Sequence, residues 1–138
     1  MARSRSGSSR IGLTVSEIGP LFDEPATRAA VFHFLDTAKA DLAQVGVNEI
    51  HAQLRWLPKH PTGRYASHVR TERVGSYNDQ VITDGFVIYG SWLEGTSTRN
   101  RTTRFKGYHI FRRTRQKLRR MTREILQRDL DELIARLR

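Results

Sequence analysis

A chain of 138 residues is long enough for one domain with its own core and too short for two. With 38% hydrophobic and 28% charged residues it can bury a core, and its lack of cysteine excludes disulfides, thiolate zinc sites and cysteine nucleophiles. No apolar run approaches the roughly 20 residues that cross a bilayer, and the polar, basic Met1–Arg10 stretch does not fit a signal peptide, so the chain reads as cytoplasmic with no membrane partner.

The net charge of +10 is unevenly spread. Residues 1–46 are neutral, residues 47–104 carry a net +3, and residues 105–138 carry +7. Between Gly95 and Arg123 there is no acidic residue, while Arg99, Arg101, Arg104, Lys106, Arg112, Arg113, Arg115, Lys117, Arg119, Arg120 and Arg123 are basic. A single-signed cluster repels itself and calls for an acidic partner, whether nucleic acid, a membrane surface or a negatively charged protein, the membrane being the weakest choice because the apolar stripe of the helix is needed for the core. Arginine dominates, and its planar fork suits carboxylates as well as phosphates.

In chain order, Met1–Arg10 contains only Ser, Gly, Arg, Ala and Met and reads as a disordered basic arm, leaving residues 11–138 as a single domain. Ile11, Leu13 and Val15 alternate with small or polar residues and predict a short strand before the Gly19-Pro20 turn. Asp23-Glu24-Pro25 is a helix start, and Val31, Phe34, Leu35, Ala38, Leu42 and Val45 follow one apolar helix face, with Gly46 placed as its C-terminal cap. Val47, Ile50, Leu54 and Leu57 predict a second, shorter helix over Val47–Trp56, ended by Pro58 and Pro61.

From Tyr65 the period changes to two, with a strand through Val69–Glu72. Asp79–Thr83 and Phe86–Trp92 are rich in β-branched and aromatic residues and flank Asp84-Gly85, a dipeptide suited to a two-residue hairpin turn. Thr96–Arg104 reads as an exposed loop. From about Tyr108, the stripe Phe111, Thr114, Leu118, Met121, Ile125, Leu130, Leu133 and Leu137 predicts an unbroken helix of about 45 Å. That length exceeds what covers a small sheet, so part of it is expected to meet another chain. The fold class is therefore α+β: an N-terminal helix, a small antiparallel sheet with a β-hairpin, and a long C-terminal helix.

Catalytic chemistry finds little support. His33, His51, His60, His68 and His109 show no metal-ligand spacing, Ser67-His68 lacks a nucleophile elbow, and Gly85, Gly90 and Gly95 do not form a phosphate loop. Neither metal nor cofactor is expected, and a non-enzymatic role is predicted. Glu94, alone ahead of the basic segment, is expected to organise the loop by pairing with Arg99, Arg101 or Arg104. The expected interaction surface comprises Arg99, Arg101, Arg104, Lys106, Arg112, Arg113, Arg115, Arg119, Arg120 and Arg123. Arg112, Arg115, Arg119 and Arg123 fall near the face opposite Leu118, Met121 and Ile125, as in any amphipathic helix; the absence of intervening acids is what an ordinary solvated face does not explain.

Two segments carry a family resemblance. Pro61-Thr62-Gly63-Arg64-Tyr65 leads into a strand, and Ile88-Tyr89-Gly90-Ser91-Trp92-Leu93-Glu94-Gly95-Thr96-Ser97 is followed by an Arg-rich loop and a long terminal helix. In this order they resemble the minor tail component family of long-tailed phages, the neck or tail-completion proteins, over roughly Asp23 to the C-terminus. Trp92-Leu93 before Glu94 and the long Arg99–Arg104 loop mark a diverged branch. The resemblance implies a virion protein assembled in the host cytoplasm as a homo-oligomeric, commonly hexameric ring. Its implied partners are the head connector or stopper and the tail terminator, with DNA passing through the channel, and it brings no catalytic residues. The alternative from the residues alone is a free basic nucleic-acid-binding protein acting through the C-terminal helix.

Overall fold

The computed structural model describes residues 10–15, 25–58 and 63–137. Strand β1 (Arg10–Leu13) is followed by helix α1 (Pro25–Trp56), a single 3-10 turn at Ala66–His68, strands β2 (Arg70–Val74) and β3 (Asp79–Thr83), short helices α2 (Gly90–Glu94) and α3 (Arg99–Thr102), and helix α4 (Ile110–Leu137). The α+β class expected from the sequence is the observed one, with a three-stranded antiparallel sheet, an N-terminal helix and a long C-terminal helix. The expected basic arm, apart from Arg10 at the start of β1, lies outside the described residues, as do the Gly19-Pro20 turn and the Asp23-Glu24 helix start.

The two helices expected on either side of Gly46 are one. The apolar spacing on both sides stays in phase, so α1 runs 32 residues, about 48 Å, to Trp56. The amide of Leu57 makes a last bond to the Gln53 carbonyl, and Pro58 has no N–H to continue the ladder. Gly46 is not a cap but the point of closest approach between α1, the sheet and α4. A Cβ there would overlap Ile82 Cδ1 and lie 3.0 Å from Leu118 Cδ1. The helix accepts a residue costing about 1 kcal/mol relative to alanine because nothing larger fits.

The hairpin also differs from expectation. β3 is the central strand in the order β1-β3-β2, pairing Ile11 with Ile82 on one side and Thr71 with Ile82 on the other. Both edges of β3 are taken, so the segment after Asp84-Gly85 has no edge to join and turns instead into α2. The actual hairpin joins β2 to β3 through Gly75–Asn78, with Gly75 and Asn78 supplying the positive φ values the reversal needs. Asp84 is fully buried rather than at a turn tip: its Oδ2 accepts from Tyr65 Oη at 3.0 Å and its Oδ1 from the Phe86 amide at 3.1 Å. The hairpin tip is tied to α1 by buried Lys39, whose ammonium donates to the Tyr77 carbonyl at 2.8 Å and pairs with Asp79 at 3.1 Å.

One core links every layer, with Ile11, Ile50, Leu54, Tyr65, Val69, Ile82, Ile110, Phe111 and Leu118 packed together. The long helix α4 packs chiefly on α1, and only secondarily on the sheet. The pairing is antiparallel: Gln53 Nε2 donates to Thr114 Oγ1 at 3.1 Å, Lys117 meets Glu49 at 2.6 Å, and Arg128 meets Asp41 at 2.7 Å. Because α1 is as long as α4, the surplus left for a partner is the outer face of α4 along its length, not a protruding end.

Two outcomes follow from this packing. Gly46→Ala should destabilise the fold by about 1–3 kcal/mol in urea unfolding despite alanine's helix propensity. Trimming the obstructing methyl with Ile82→Val, which alone costs about 0.5–1.5 kcal/mol, should relieve the strain, so that the double variant is more stable than the sum of the two by over ~0.5 kcal/mol. The second concerns pH. Burial, then the Asp84 carboxylate, raise the Tyr65 phenol well above its ordinary value. The phenol therefore stays protonated in the fold while the unfolded chain ionises near pH 10, so stability is level below about 10 and falls above it. Tyr65→Phe should be less stable at neutral pH but show a shallower alkaline fall, as read by thermal melts from pH 8 to 11.5.

Candidate interaction surface

The basic half is organised by one carboxylate. α4 begins at Ile110 behind His109, whose side chain is not among the residue types that cap a helix well. Glu94, at the end of α2 and only 8% exposed, supplies the missing cap from outside the helix: its Oε2 accepts from the Phe111 amide at 3.0 Å and its Oε1 from the Arg112 amide at 2.9 Å. The negative charge also sits where the helix dipole favours it. Glu94 was expected to pair with Arg99, Arg101 or Arg104; the helix amides win because they are buried donors with no water to satisfy them.

Glu94 reaches that position because two backbones touch. Gly95 (φ 95°) ends α2 and lies against Gly107 (φ 96°); a Cβ on either would overlap the other strand of backbone. The Tyr108 amide then donates to the Leu93 carbonyl at 2.6 Å, closing the loop between them. The Glu94-Gly95-Thr96 run thus has a physical meaning: a capping acid, a left-handed glycine permitting the approach, and a threonine whose amide and hydroxyl both donate to the Ser91 carbonyl.

Between these contacts, Thr96–Arg104 is built rather than loose. It contains α3, and buried Asn100 pins it by accepting from the Ser97 amide at 3.0 Å and donating to the carbonyls of Trp92 at 3.0 Å and Phe105 at 3.2 Å. Phe105 packs tilted against Trp92 and edge-to-face against Tyr108, with ring centroids 4.6 and 4.8 Å apart. The Arg99 guanidinium lies 6.0 Å over the Trp92 ring.

The predicted basic residues fall into two groups. Lys106 is committed internally, its ammonium donating to the carbonyls of Asn100 at 2.9 Å and Arg101 at 3.3 Å at the end of α3. Arg99, Arg101 and Arg104 are exposed on the ordered loop, and Arg112, Arg113, Arg115, Arg119, Arg120 and Arg123 are exposed on α4. Among the described residues none of these nine has a carboxylate partner, whereas Lys117 and Arg128 are matched by acids of α1. The arginines on α4 extend over about three turns, roughly 16 Å, and join the loop arginines at its first turn.

Sequence reasoning missed the apolar part of the surface. Trp56 is 85% exposed at the end of α1, beside Leu57, and Phe86, Ile88 (86% exposed) and Tyr89 project from the turn before α2. The β-branched and aromatic pattern places Phe86 and Ile88 in a strand, whereas no strand follows β3 among the described residues. The signal for Trp56 is its position as the last residue of the helix, two before Pro58 and outside the apolar phase of α1. Ser67 and His68 sit exposed in the 3-10 turn, both against the Arg64 carbonyl. Among the described residues no three of His, Asp and Glu converge to hold a metal ion, and no helix is long and apolar enough to cross a membrane. Comparison of the chain with protein-family models, curated proteins and solved structures returned no match.

Removing the cap should separate its two contributions. Glu94→Ala leaves the buried Phe111 amide and the part-buried Arg112 amide without their acceptor and is expected to cost about 2–3 kcal/mol in denaturant unfolding. Glu94→Gln keeps an acceptor but loses the charge, and should fall between that variant and the native chain.

Proposed function

We propose that this chain is a structural subunit of a phage head-to-tail neck, a tail-completion ring joining the head connector to the tail, and acts by binding rather than catalysis. The observation that carries the reading is the Glu94-Gly95-Thr96 segment. The run on which the resemblance to neck proteins rests is here the joint that fixes the start of α4, and it stands in the expected order after a long helix and an antiparallel sheet and before a basic loop and long terminal helix. In this reading the homo-oligomeric ring, of hexameric type, meets the head connector or stopper on one side and the tail terminator on the other.

The character of the surface favours protein as the main partner. Arg113, without a carboxylate partner among the described residues, lines one groove with exposed Trp56, and mixed aromatic and arginine surfaces suit protein interfaces, whereas phosphate contacts need no apolar neighbours. The second reading, a free nucleic-acid-binding protein, is favoured by one observation, the unmatched arginines along α4.

Purified protein should form rings visible by electron microscopy, alone or on the head connector, and mass spectrometry should find the chain in virions. A chain that stays monomeric with both the connector and terminator, and is missing from virions, defeats the proposal. Filter binding to duplex DNA separates the second reading: a free binder making six to ten phosphate contacts loses about 10³–10⁵ in affinity between 50 and 200 mM salt. The ring subunit should bind DNA only weakly at the lower salt.

A further inference from the structure

The α1–α4 pair has two different ends. At one, an open groove of about 530 Å³ lies between the C-terminal turns of α1 and the N-terminal turns of α4, lined by Trp56 and Leu57, by the mutually paired Glu49 and Lys117, and by Arg113, whose charge is left over. Trp56 is almost wholly exposed and Arg113 has no carboxylate partner among the described residues. At the other end, α4 leaves Leu130 (37%) and Ile134 (41%) partly exposed one turn apart, with exposed Asp131 next to Leu130 in the chain. An exposed large apolar pair at i, i+4 on an otherwise polar helix face is an unpartnered contact.

The charges of these ends are opposite. Residues 110–123 carry seven basic residues and no acid, whereas residues 124–137 carry four acids against two arginines. Groove and stripe are therefore complementary to each other and not to themselves. Two grooves would bring arginines together, and two stripes would bring carboxylates together. They are also separated by about 25 Å along α4, so one chain cannot satisfy its own groove.

We propose that the Leu130/Ile134 stripe of one copy seats in the Trp56 groove of the next, with Asp131 pairing with Arg113. The occupant is a second copy of this chain, joined head to tail. A heterologous contact of this kind leaves a free groove at one end and a free stripe at the other, and it closes into a ring when the rotation per copy divides a full turn. Trp56 and Arg113 belong to the residue types that dominate interface energetics, and Leu130 and Ile134 are small enough to enter the groove. The inference rests on the ring reading for its biological setting, while its geometry is testable without it.

Complementary one-sided variants test it. All substitutions are at exposed positions, and thermal melts within a few degrees of the native chain establish that each variant folds. A groove-defective chain (Trp56→Ser with Arg113→Glu) and a stripe-defective chain (Leu130→Ser with Ile134→Ser) should each assemble at least tenfold more weakly than the native chain in sedimentation velocity, measured alone and on the head connector. Mixed in equal amounts, they should form a two-copy species that grows no further, because the mixture contains one good groove and one good stripe per pair. In a single chain, Arg113→Glu combined with Asp131→Arg should recover much of the assembly lost by either substitution.

Different failures point to different errors. Rings that form unchanged from both one-sided variants would overturn this contact and leave the ring reading standing. A one-sided variant that dimerises through its intact patch would mean like-with-like pairing, which also overturns the proposal. A native chain that remains monomeric at every concentration and on the connector would remove both.

Discussion

The carboxylate of Glu94 is the constraint on which the basic half depends. α4 starts without a good capping residue of its own and carries a basic residue at almost every exposed position of its first three turns. Arg113–Lys117, Arg115–Arg119 and Arg119–Arg123 are like-charge pairs at i, i+4, each unfavourable by about 0.2–0.5 kcal/mol. A helix so composed is a poor one in isolation. It is held by tertiary structure: a buried acid at its N-terminus, and acids of α1 at Lys117 and Arg128. Glu94 does this across the chain, from α2, so the start of α4 is fixed only when the Gly95–Gly107 contact has brought the two backbones together.

That dependence explains what could be read from the sequence. The long helices were legible because their apolar residues keep one period for many turns, so Val31 to Leu57 and Phe111 to Leu133 mark their faces unaided. The break placed at Gly46 was not real, because a glycine that ends a helix and one that admits a neighbouring side chain look alike until Ile82 and Leu118 are in position. The same holds for Asp84-Gly85. As a dipeptide it suits a hairpin, but whether a hairpin forms depends on whether β3 has a free edge, and β1, some 70 residues earlier, has taken it. Non-local pairing overrides local turn preference.

The candidate surface was legible in composition and not in arrangement. The run without acids identifies the arginines, since burial of so many like charges is untenable and they must lie outside. It cannot say that Lys106 is consumed in closing α3, that Asn100 makes a rigid platform of an apparently loose segment, or that Glu94 faces amides and not guanidinium groups. Those outcomes depend on which donors lose their water on folding. Charge pattern reports what stays wet, whereas burial decides which polar groups must find each other.

The unmatched arginines then acquire a cause. α1 has acids within reach of α4 and uses them: Asp41 and Glu49 neutralise Arg128 and Lys117 across the helix pair. Among the described residues no carboxylate lies within ion-pair distance of the outer arginines of α4. The fold therefore accepts self-repulsion over three turns of α4, and this repulsion is greatest in the isolated subunit, because any acidic surface brought against the face relieves it. Assembly and charge are coupled in that sense. In the proposed head-to-tail contact, the acids in the last turns of a second copy would supply such a surface, and the charge asymmetry along α4 would favour that pairing.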